Sequence, residues 1–282
     1  MSIKLNYRLP RRLEGTILAE ILNARLPQIA GARDKWPDES IRMVLDRAPR
    51  VRSLKRALLR SRRPAIIAEV KRASPSAGEL RADFDPLKIG REYEQAGAAA
   101  VSVLTEGVYF HGQIEYLAAL RWNLGLPLLC KDFIVDPYQV LQARHAGADA
   151  VMLIAALHDK STLRQLRSEV EGLGMEALVE VHSEMELEAA LAAGASLIGV
   201  NNRDLSSMQV SLDVSLRLAS RLPKDVVAVA ASGIQTAEDI RRLGEAGYRG
   251  FLIGEPLMRS PSPGKALSDL RANAAPKGRS AA

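Results

Sequence analysis

The side chains best suited to proton transfer are two lysines and two carboxylates placed at the ends of, or within, short apolar runs. Glu69 and Lys71 end one run, Lys131 follows a second, and Glu180 lies inside a third. Crowded lysines and partly desolvated carboxylates can both exchange protons near neutral pH. A purely structural ion-pair network is the alternative, because buried charges have to be paired. We favour an acid–base set.

Two further pairs of residues have the composition of a phosphate-binding turn. Ser232-Gly233 and Gly254-Glu255 close the seventh and eighth apolar runs. Backbone N–H groups and the start of a short helix bind phosphate at this place in a barrel of parallel strands. Glycine that merely serves a tight turn is the alternative. Because both pairs stand at the two runs where a barrel binds phosphate, we predict a phosphate site.

The elements that must position these groups repeat regularly from Pro64 onward. Most of the short runs are apolar at every position, as expected for parallel strands buried on both faces. Segments with helical periodicity lie between them. The eight predicted strands are Ala65–Val70, Ala99–Leu104, Pro127–Cys130, Ala150–Ile154, Ala177–Val181, Leu197–Val200, Val226–Ala230 and Gly250–Ile253.

Eight strands alternating with helices in about 190 residues predict a parallel (β/α)8 TIM barrel of the α/β class. The predicted helices include Pro86–Gln95, Pro137–Ala146, Ser183–Ala193, Val214–Arg221 and Ala237–Ala246. Gly97, Gly147, Gly194 and Gly247 recur at the helix ends, where glycine supplies a left-handed cap. A doubly wound open sheet is the alternative, but no Gly-x-Gly-x-x-Gly follows the first strand.

The chain before the barrel has a different pattern and charge. Residues 1–63 are predicted to form a helical extension packed on the barrel, with helices around residues 17–29, 40–47 and 53–60. The barrel is predicted over residues 64–270 and a flexible tail over 271–282. Residues 1–63 hold 16 Lys and Arg against 6 Asp and Glu, and the run Arg47–Arg63 has no acidic residue. A solvated surface is the favoured interpretation of that run, and nucleic-acid binding is the alternative.

Composition indicates which broad class of protein the chain belongs to. The 282 residues are 47% hydrophobic and 26% charged, which excludes disorder and low-complexity architecture. The single cysteine, Cys130, excludes an intramolecular disulfide and fits a reducing compartment. No run reaches a membrane span, and no secretory signal begins the chain. We therefore expect a soluble cytoplasmic protein that does not bind membranes.

At the strand ends the chain resembles the indole-3-glycerol-phosphate synthase family of tryptophan biosynthesis. The stretches KRASPS from Lys71, KDFI from Lys131 and NNRDL from Asn201 carry the resemblance, which extends over all eight predicted strands. It implies a carboxy-lyase that closes the ring of 1-(2-carboxyphenylamino)-1-deoxyribulose 5-phosphate with loss of CO2 and water. It implies no metal or organic cofactor.

The resemblance also implies residue roles. Lys131 would be the general acid in ring closure and Glu180 the general base in the dehydration. Lys71 would contact the anionic ends of the substrate, Glu69 would orient Lys71, and Asn201 would hold substrate hydroxyls or carboxylate. The implied substrate-binding residues are Ser74, Phe110, Phe133, Arg203, Leu205 and Ser232, and the implied phosphate-binding residues are Gly233, Gly254 and Glu255.

One departure from the family pattern bears on activity. The family usually has Glu immediately before the Ser-Gly pair of the seventh strand, and here that residue is Ala231. A slower enzyme, or one in which another group replaces the lost carboxylate, is our expectation. The alternative is a catalytically impaired or substrate-shifted phosphate-binding barrel. We expect a phosphorylated small molecule as the partner, no nucleic acid, and a monomer or weak homodimer.

Overall fold

The strands of the computed structural model close into a parallel barrel. The structure describes residues 5, 7–61, 64–204 and 208–274. The barrel strands are β1 (Ala65–Val70), β4 (Ala100–Leu104), β5 (Leu128–Lys131), β6 (Ala150–Ile154), β7 (Glu176–Val181), β8 (Leu197–Asn201), β9 (Val227–Ala231) and β10 (Gly250–Ile253). Within the described residues, these eight strands pair in the circular order β1-β4-β5-β6-β7-β8-β9-β10. The predicted TIM barrel is confirmed, with strand bounds within one residue of those expected.

Register closes the ring at β1. Ala68 pairs with Val101 of β4 on one side and with Ile253 of β10 on the other. A small antiparallel hairpin, β2 (Ala73–Ser74) with β3 (Gly78–Glu79), follows β1 directly. This hairpin lies at the carboxyl end of the barrel, where side chains of successive strands meet.

Strand parity divides the core into two layers. Alternate residues such as Leu128 and Cys130 of β5 pack outward against the surrounding helices. The intervening residue, Leu129, packs inward with the interior residues of other strands. Because side chains alternate along a strand, the residue two positions after Leu129, which is Lys131, also faces the interior.

Helices alternate with the strands as predicted. Polar side chains in the preceding loops cap the amino-terminal ends of several helices, for example Asp85, Asp136 and Ser183. The helices outside the barrel strands are α4 (Pro86–Gln95), α5 (Glu115–Arg121), α6 (Pro137–His145), α7 (Lys160–Gly172), α8 (Glu184–Ala192), α9 (Asp213–Ala219), α10 (Ala237–Glu245), α11 (Glu255–Arg259) and α12 (Pro263–Ala274). Since α12 continues to Ala274, the boundary drawn at residue 270 falls inside this helix.

The glycines of the repeated pattern have the conformation that the sequence predicts. Gly97, Gly147, Gly194 and Gly247 all have positive φ, between 80° and 107°. Each follows the end of a helix and precedes a strand, so the echo in the sequence marks repeated helix caps.

The amino-terminal segment contributes helices to both ends of the barrel. They are α1 (Ile17–Lys35), α2 (Asp38–Arg42) and α3 (Leu54–Arg60), and α1 and α3 start at the N-caps Thr16 and Ser53. The single helix predicted over residues 40–47 is wrong: α2 ends at Arg42 and a separate 3-10 turn covers Leu45–Arg47.

The basic run is partly anchored at the amino-terminal end of the barrel. Ser53 and Lys55 both donate hydrogen bonds to Glu176 at the start of β7. Leu58 of α3 lies against Gly250, which begins β10. These contacts fit a packing role for this part of the run. Arg62 and Arg63 lie outside the described residues.

A buried ion pair fixes the same end of the barrel. Asp149, which precedes β6, accepts from Arg121 at 2.9 Å, and both side chains are almost fully buried. The same carboxylate accepts the backbone N–H groups of Arg52 and Leu128 at 2.7 and 2.8 Å. Arg121 also donates to the carbonyl oxygen of Arg50. One carboxylate thus joins the extension to the barrel.

No described helix is both long and apolar enough to cross a membrane.

We expect Asp149→Ala to destabilise the fold by about 3–5 kcal/mol, because it leaves the Arg121 guanidinium buried without its charge partner. Urea unfolding measures this loss. The matched control is Asp269→Ala, which removes the exposed Lys265–Asp269 pair and is expected to cost less than about 1 kcal/mol. Equal losses in the two variants would contradict the assigned role.

Candidate active site

A large cavity opens at the carboxyl ends of the strands. Its volume is about 530 Å³, in the usual range for a small-molecule site. Ile17, Leu18 and Ile21 of α1 form part of its wall, beside side chains from the strand ends. The predicted site residues Glu69, Lys71, Ser74, Phe110, Lys131, Phe133, Glu180, Asn201, Arg203, Ser232, Gly233, Gly254 and Glu255 all line it.

Glu69 and Lys71 form a buried ion pair at the end of β1. Their side chains face the interior by strand parity, and Lys71 Nζ lies 2.6 Å from Glu69 Oε1. Burial acts to raise the pKa of Glu69, but the charges of Lys71, Lys131 and Arg203 outweigh it and lower that pKa. Glu69 is therefore a carboxylate at neutral pH and holds the Lys71 ammonium at a defined place.

Gly254 allows this pair to form. A Cβ atom at position 254 would lie 2.3 Å from Glu69 Oε1. Any other residue would therefore have to displace the carboxylate that orients Lys71. Glycine at this position therefore leaves room for the Glu69–Lys71 pair, in addition to any contact that it makes with phosphate.

Lys131 ends β5 and is partly exposed within the cavity. The next residue, Asp132, is buried and accepts two hydrogen bonds from Arg25 of α1, at 3.1 and 2.7 Å. The Thr105 hydroxyl donates to the same carboxylate at 2.5 Å. The amino-terminal helix is thereby tied to the residue beside Lys131. Nothing local in the sequence indicated this contact, because Arg25 and Asp132 are 107 positions apart.

Glu180 and Asn201 meet across neighbouring strands. Asn201 Nδ2 donates to Glu180 Oε1 at 3.1 Å, and both side chains are buried. Asn201 Oδ1 accepts the backbone N–H of Arg203 at 3.0 Å. One amide therefore orients the carboxylate and the turn that carries Arg203. Leu205 lies outside the described residues, and its predicted contact stays a prediction.

The two phenylalanines of the cavity wall lie near a carboxylate, Glu106, that the sequence analysis did not identify. Phe110 and Phe133 pack with ring centroids 5.9 Å apart. Glu106, fully buried, accepts the backbone N–H groups of Val108, Tyr109 and Phe110 at 2.7–2.9 Å. It thereby shapes the loop that presents Phe110. Glu106 stands two residues after β4, and that position at a strand end was the available signal.

The predicted phosphate end has unusual backbone geometry. Ser232 has φ 64°, and Gly233 after it has φ 75°, a region that costs energy for a residue other than glycine. A Cβ on Gly233 would lie 2.4 Å from Val210. The Glu255 carboxylate pairs with Arg259 at 3.0 Å, so Glu255 is suited to offer phosphate only its backbone. Arg259 also lines the cavity and adds a cation that the sequence analysis did not identify.

Two other residues lie at the cavity wall. Ser74 is buried, and in the described part of the chain its hydroxyl has no hydrogen-bond partner. Ala231 ends β9 in register with Asn201 and Leu252. Its methyl group occupies an inward position from which a longer side chain would enter the cavity.

Two features of the described residues concern the cysteine thiol and the grouping of metal-ligating side chains. Burial, followed by the charge of Asp132, raises the pKa of Cys130 to about 12, so the thiol stays protonated. Within the described ranges, no three His, Cys, Asp or Glu side chains are grouped so that they could hold a metal ion.

Comparison with protein families gives a match over most of the chain. The family described as indole-3-glycerol phosphate synthase matches residues 18–270. The indole-3-glycerol phosphate synthase of Carboxydothermus hydrogenoformans is 49% identical over 262 residues, covering 90% of this chain and 99% of the relative. That of Polaromonas naphthalenivorans is 43% identical over 257 residues, covering 90% and 98%.

Solved structures with much lower sequence identity share the architecture. Thiamine phosphate pyrophosphorylase from Pyrococcus furiosus aligns with a TM-score of 0.58 and 18% identity, covering 77% of this chain and 97% of that one. KGPDC from Streptococcus mutans aligns with a TM-score of 0.57 and 12% identity, covering 75% and 97%. These similarities show the barrel fold alone.

We expect Glu106→Gln to loosen the loop after β4, because an amide cannot accept all three N–H groups that the carboxylate accepts. Leaving a buried donor unsatisfied costs about 1–3 kcal/mol, so the amides of Val108, Tyr109 and Phe110 should exchange with solvent about tenfold faster or more. Hydrogen-exchange mass spectrometry measures the change. Glu115→Gln, at an exposed residue, is the control. Unchanged exchange in Glu106→Gln would contradict the role of the Glu106 carboxylate in holding this loop.

Proposed function

The chain belongs to the indole-3-glycerol phosphate synthase family, and we propose that it closes the indole ring of 1-(2-carboxyphenylamino)-1-deoxyribulose 5-phosphate with loss of CO2 and water. The observation that supports this most is the convergence of Lys71, Lys131 and Glu180 on one cavity of small-molecule size. The substrate carries a phosphate and a carboxylate, so it needs cations and N–H donors around it. The reaction needs both a proton donor and a proton acceptor.

Ring closure is the step we assign to Lys131. The aryl carbon that bears the carboxylate attacks the ketone carbon, and the carbonyl electron pair takes a proton from the Lys131 ammonium. A hydroxyl group results. The arylamine nitrogen supplies the electrons for the attack, so the intermediate is cationic. A cation placed over the developing alkoxide stabilises the transition state as well as supplying the proton.

Loss of CO2 follows from the charge of that intermediate. The electrons of the breaking carbon–carbon bond return to the cationic ring system, so no free carbanion forms. The protein has to hold the carboxylate without neutralising it by protonation. Lys71, fixed at 2.6 Å from Glu69, is the group that we assign to this contact.

Dehydration converts the closed ring into the aromatic indole. Glu180 takes a proton from the indoline, and the hydroxyl leaves as water with a proton that we assign to Lys71. Asn201 holds Glu180 at 3.1 Å, and the buried position limits competing contact with bulk water. The acid of this step would then directly follow β1, and the base would lie in β7.

The remaining predicted residues would bind the two ends of the substrate. Phe110 and Phe133 offer an aromatic surface to the arylamine ring, and Arg203 and Ser74 lie beside it in the same cavity. The turn at Ser232 and Gly233, with Gly254, would receive the phosphate through backbone N–H groups. We further propose a cytoplasmic location and a monomer or weak homodimer.

Mixing the purified protein with the substrate and recording the rise of indole fluorescence tests the function. We expect Lys131→Ala to lower kcat by about 100-fold to 10,000-fold, the range for loss of a general acid. Lys265→Ala is the matched control, because Lys265 is exposed and pairs only at the surface. No fluorescence rise with the wild-type protein would contradict the proposed function, whereas a full rate in Lys131→Ala would contradict only the assigned acid.

Ala231→Glu tests whether this chain is a slower member of its family. A restored charged hydrogen bond to substrate is worth about 1.5–3 kcal/mol, so kcat/KM should rise about tenfold or more. Ala231→Gln separates the effect of charge from that of length, and melting temperatures show that both variants fold. If kcat/KM does not rise, another group already does the work of that carboxylate.

A further inference from the structure

His182 is a titratable side chain beside Glu180 that the proposed reaction does not use. It directly follows β7 and stands two residues after Glu180, so strand parity directs it toward the same side of the barrel. Its side chain is 12% exposed, against 5% for Glu180. The imidazole is therefore largely removed from solvent, and it lies beside Glu180.

The imidazole lies between two carboxylates. His182 Nε2 is 3.7 Å from Glu180 Oε1, and Nδ1 is 3.2 Å from Oε2 of Glu186 in the first turn of α8. The backbone N–H of His182 also donates to Glu186 Oε2, at 2.9 Å. Glu186 therefore fixes both the ring and the backbone of His182.

Three acidic groups determine the charge of the imidazole. They are Glu180 on its own strand, Glu186 on α8 and Asp204 after β8. Burial acts to lower the pKa of His182, but the hydrogen bond to Glu186 and these negative charges outweigh it and raise that pKa. Conversely, burial acts to raise the pKa of Glu186, and His182 lowers it. The favoured pair is an imidazolium with a carboxylate.

The second ring nitrogen faces the carboxylate of Glu180. Nε2 is buried and, in the described part of the chain, has no hydrogen-bond partner. A separation of 3.7 Å from Glu180 Oε1 is just beyond hydrogen-bonding distance. Asn201 donates to the same oxygen, and neither contact involves Oε2. Both contacts to Glu180 are thus made at Oε1, and the residue lines the cavity.

We propose that His182 is a positioning residue whose charge holds the Glu180 carboxylate in place, with Glu186 fixing the imidazole from behind. This inference rests on the base role proposed for Glu180. Glu180 is buried, and a buried carboxylate without a nearby cation loses the stabilisation that water would give it. The imidazolium supplies that charge without touching the substrate.

The pH dependence of kcat tests the inference. In His182→Gln, kcat should fall about tenfold at pH values where the wild-type imidazole is protonated, and the two proteins should converge at higher pH, where the wild-type imidazole has lost its charge. KM should change less than about twofold, since His182 does not bind substrate. Glu186→Gln should lower kcat in the same pH range by a smaller factor. It is the alternative test variant if His182→Gln folds poorly. His145→Gln, on α6, is the matched control.

A loss of kcat by one factor at every pH would show a merely structural role for His182 and would overturn the proposal. A second measurement needs no turnover: the chain has four histidines, so the His182 ring signal can be followed by NMR as pH changes. In Glu180→Gln its titration midpoint should move to lower pH. An unmoved midpoint would overturn the coupling even in an active enzyme, and wild-type protein that forms no product would refute only the proposed function.

Discussion

Strand parity inside a closed barrel is the constraint on which the rest of this structure depends. Every second residue of the eight strands faces one interior, which is only wide enough to be filled by side chains. Apolar residues such as Leu129 and Leu178 fill the lower layers. The next inward positions, Lys131 and Glu180, fall at the carboxyl rim. A polar side chain therefore faces the site when it stands two positions after an inward-facing core residue of the same strand.

Several charged side chains at that rim are buried, and a buried charge needs a partner. Glu69 holds Lys71, Asn201 holds Glu180, and Arg25 holds Asp132 beside Lys131. These contacts restrict the side chains to one geometry before substrate arrives, so that less ordering is needed during the reaction. The same requirement explains why Gly254 is glycine: a methyl group there would overlap the Glu69 carboxylate.

The amino-terminal helices complete the barrel at both ends. At the carboxyl end α1 lends apolar residues to the cavity wall and Arg25 to Asp132. At the opposite end α3 and the segment before it are tied to Glu176 and Asp149. A segment that carries no proton-transfer group therefore contributes to the shape of the site.

The sequence by itself determined the strands, most helices, the helix-capping glycines and the inward charged residues, because periodicity and capping depend on neighbours within a few positions. The assigned roles of those residues stay predictions. Tertiary structure alone decided the Arg25–Asp132 pair and the Asn201–Glu180 contact, whose residues are 107 and 21 positions apart. Each joins groups whose distance depends on how the chain closes rather than on local preference.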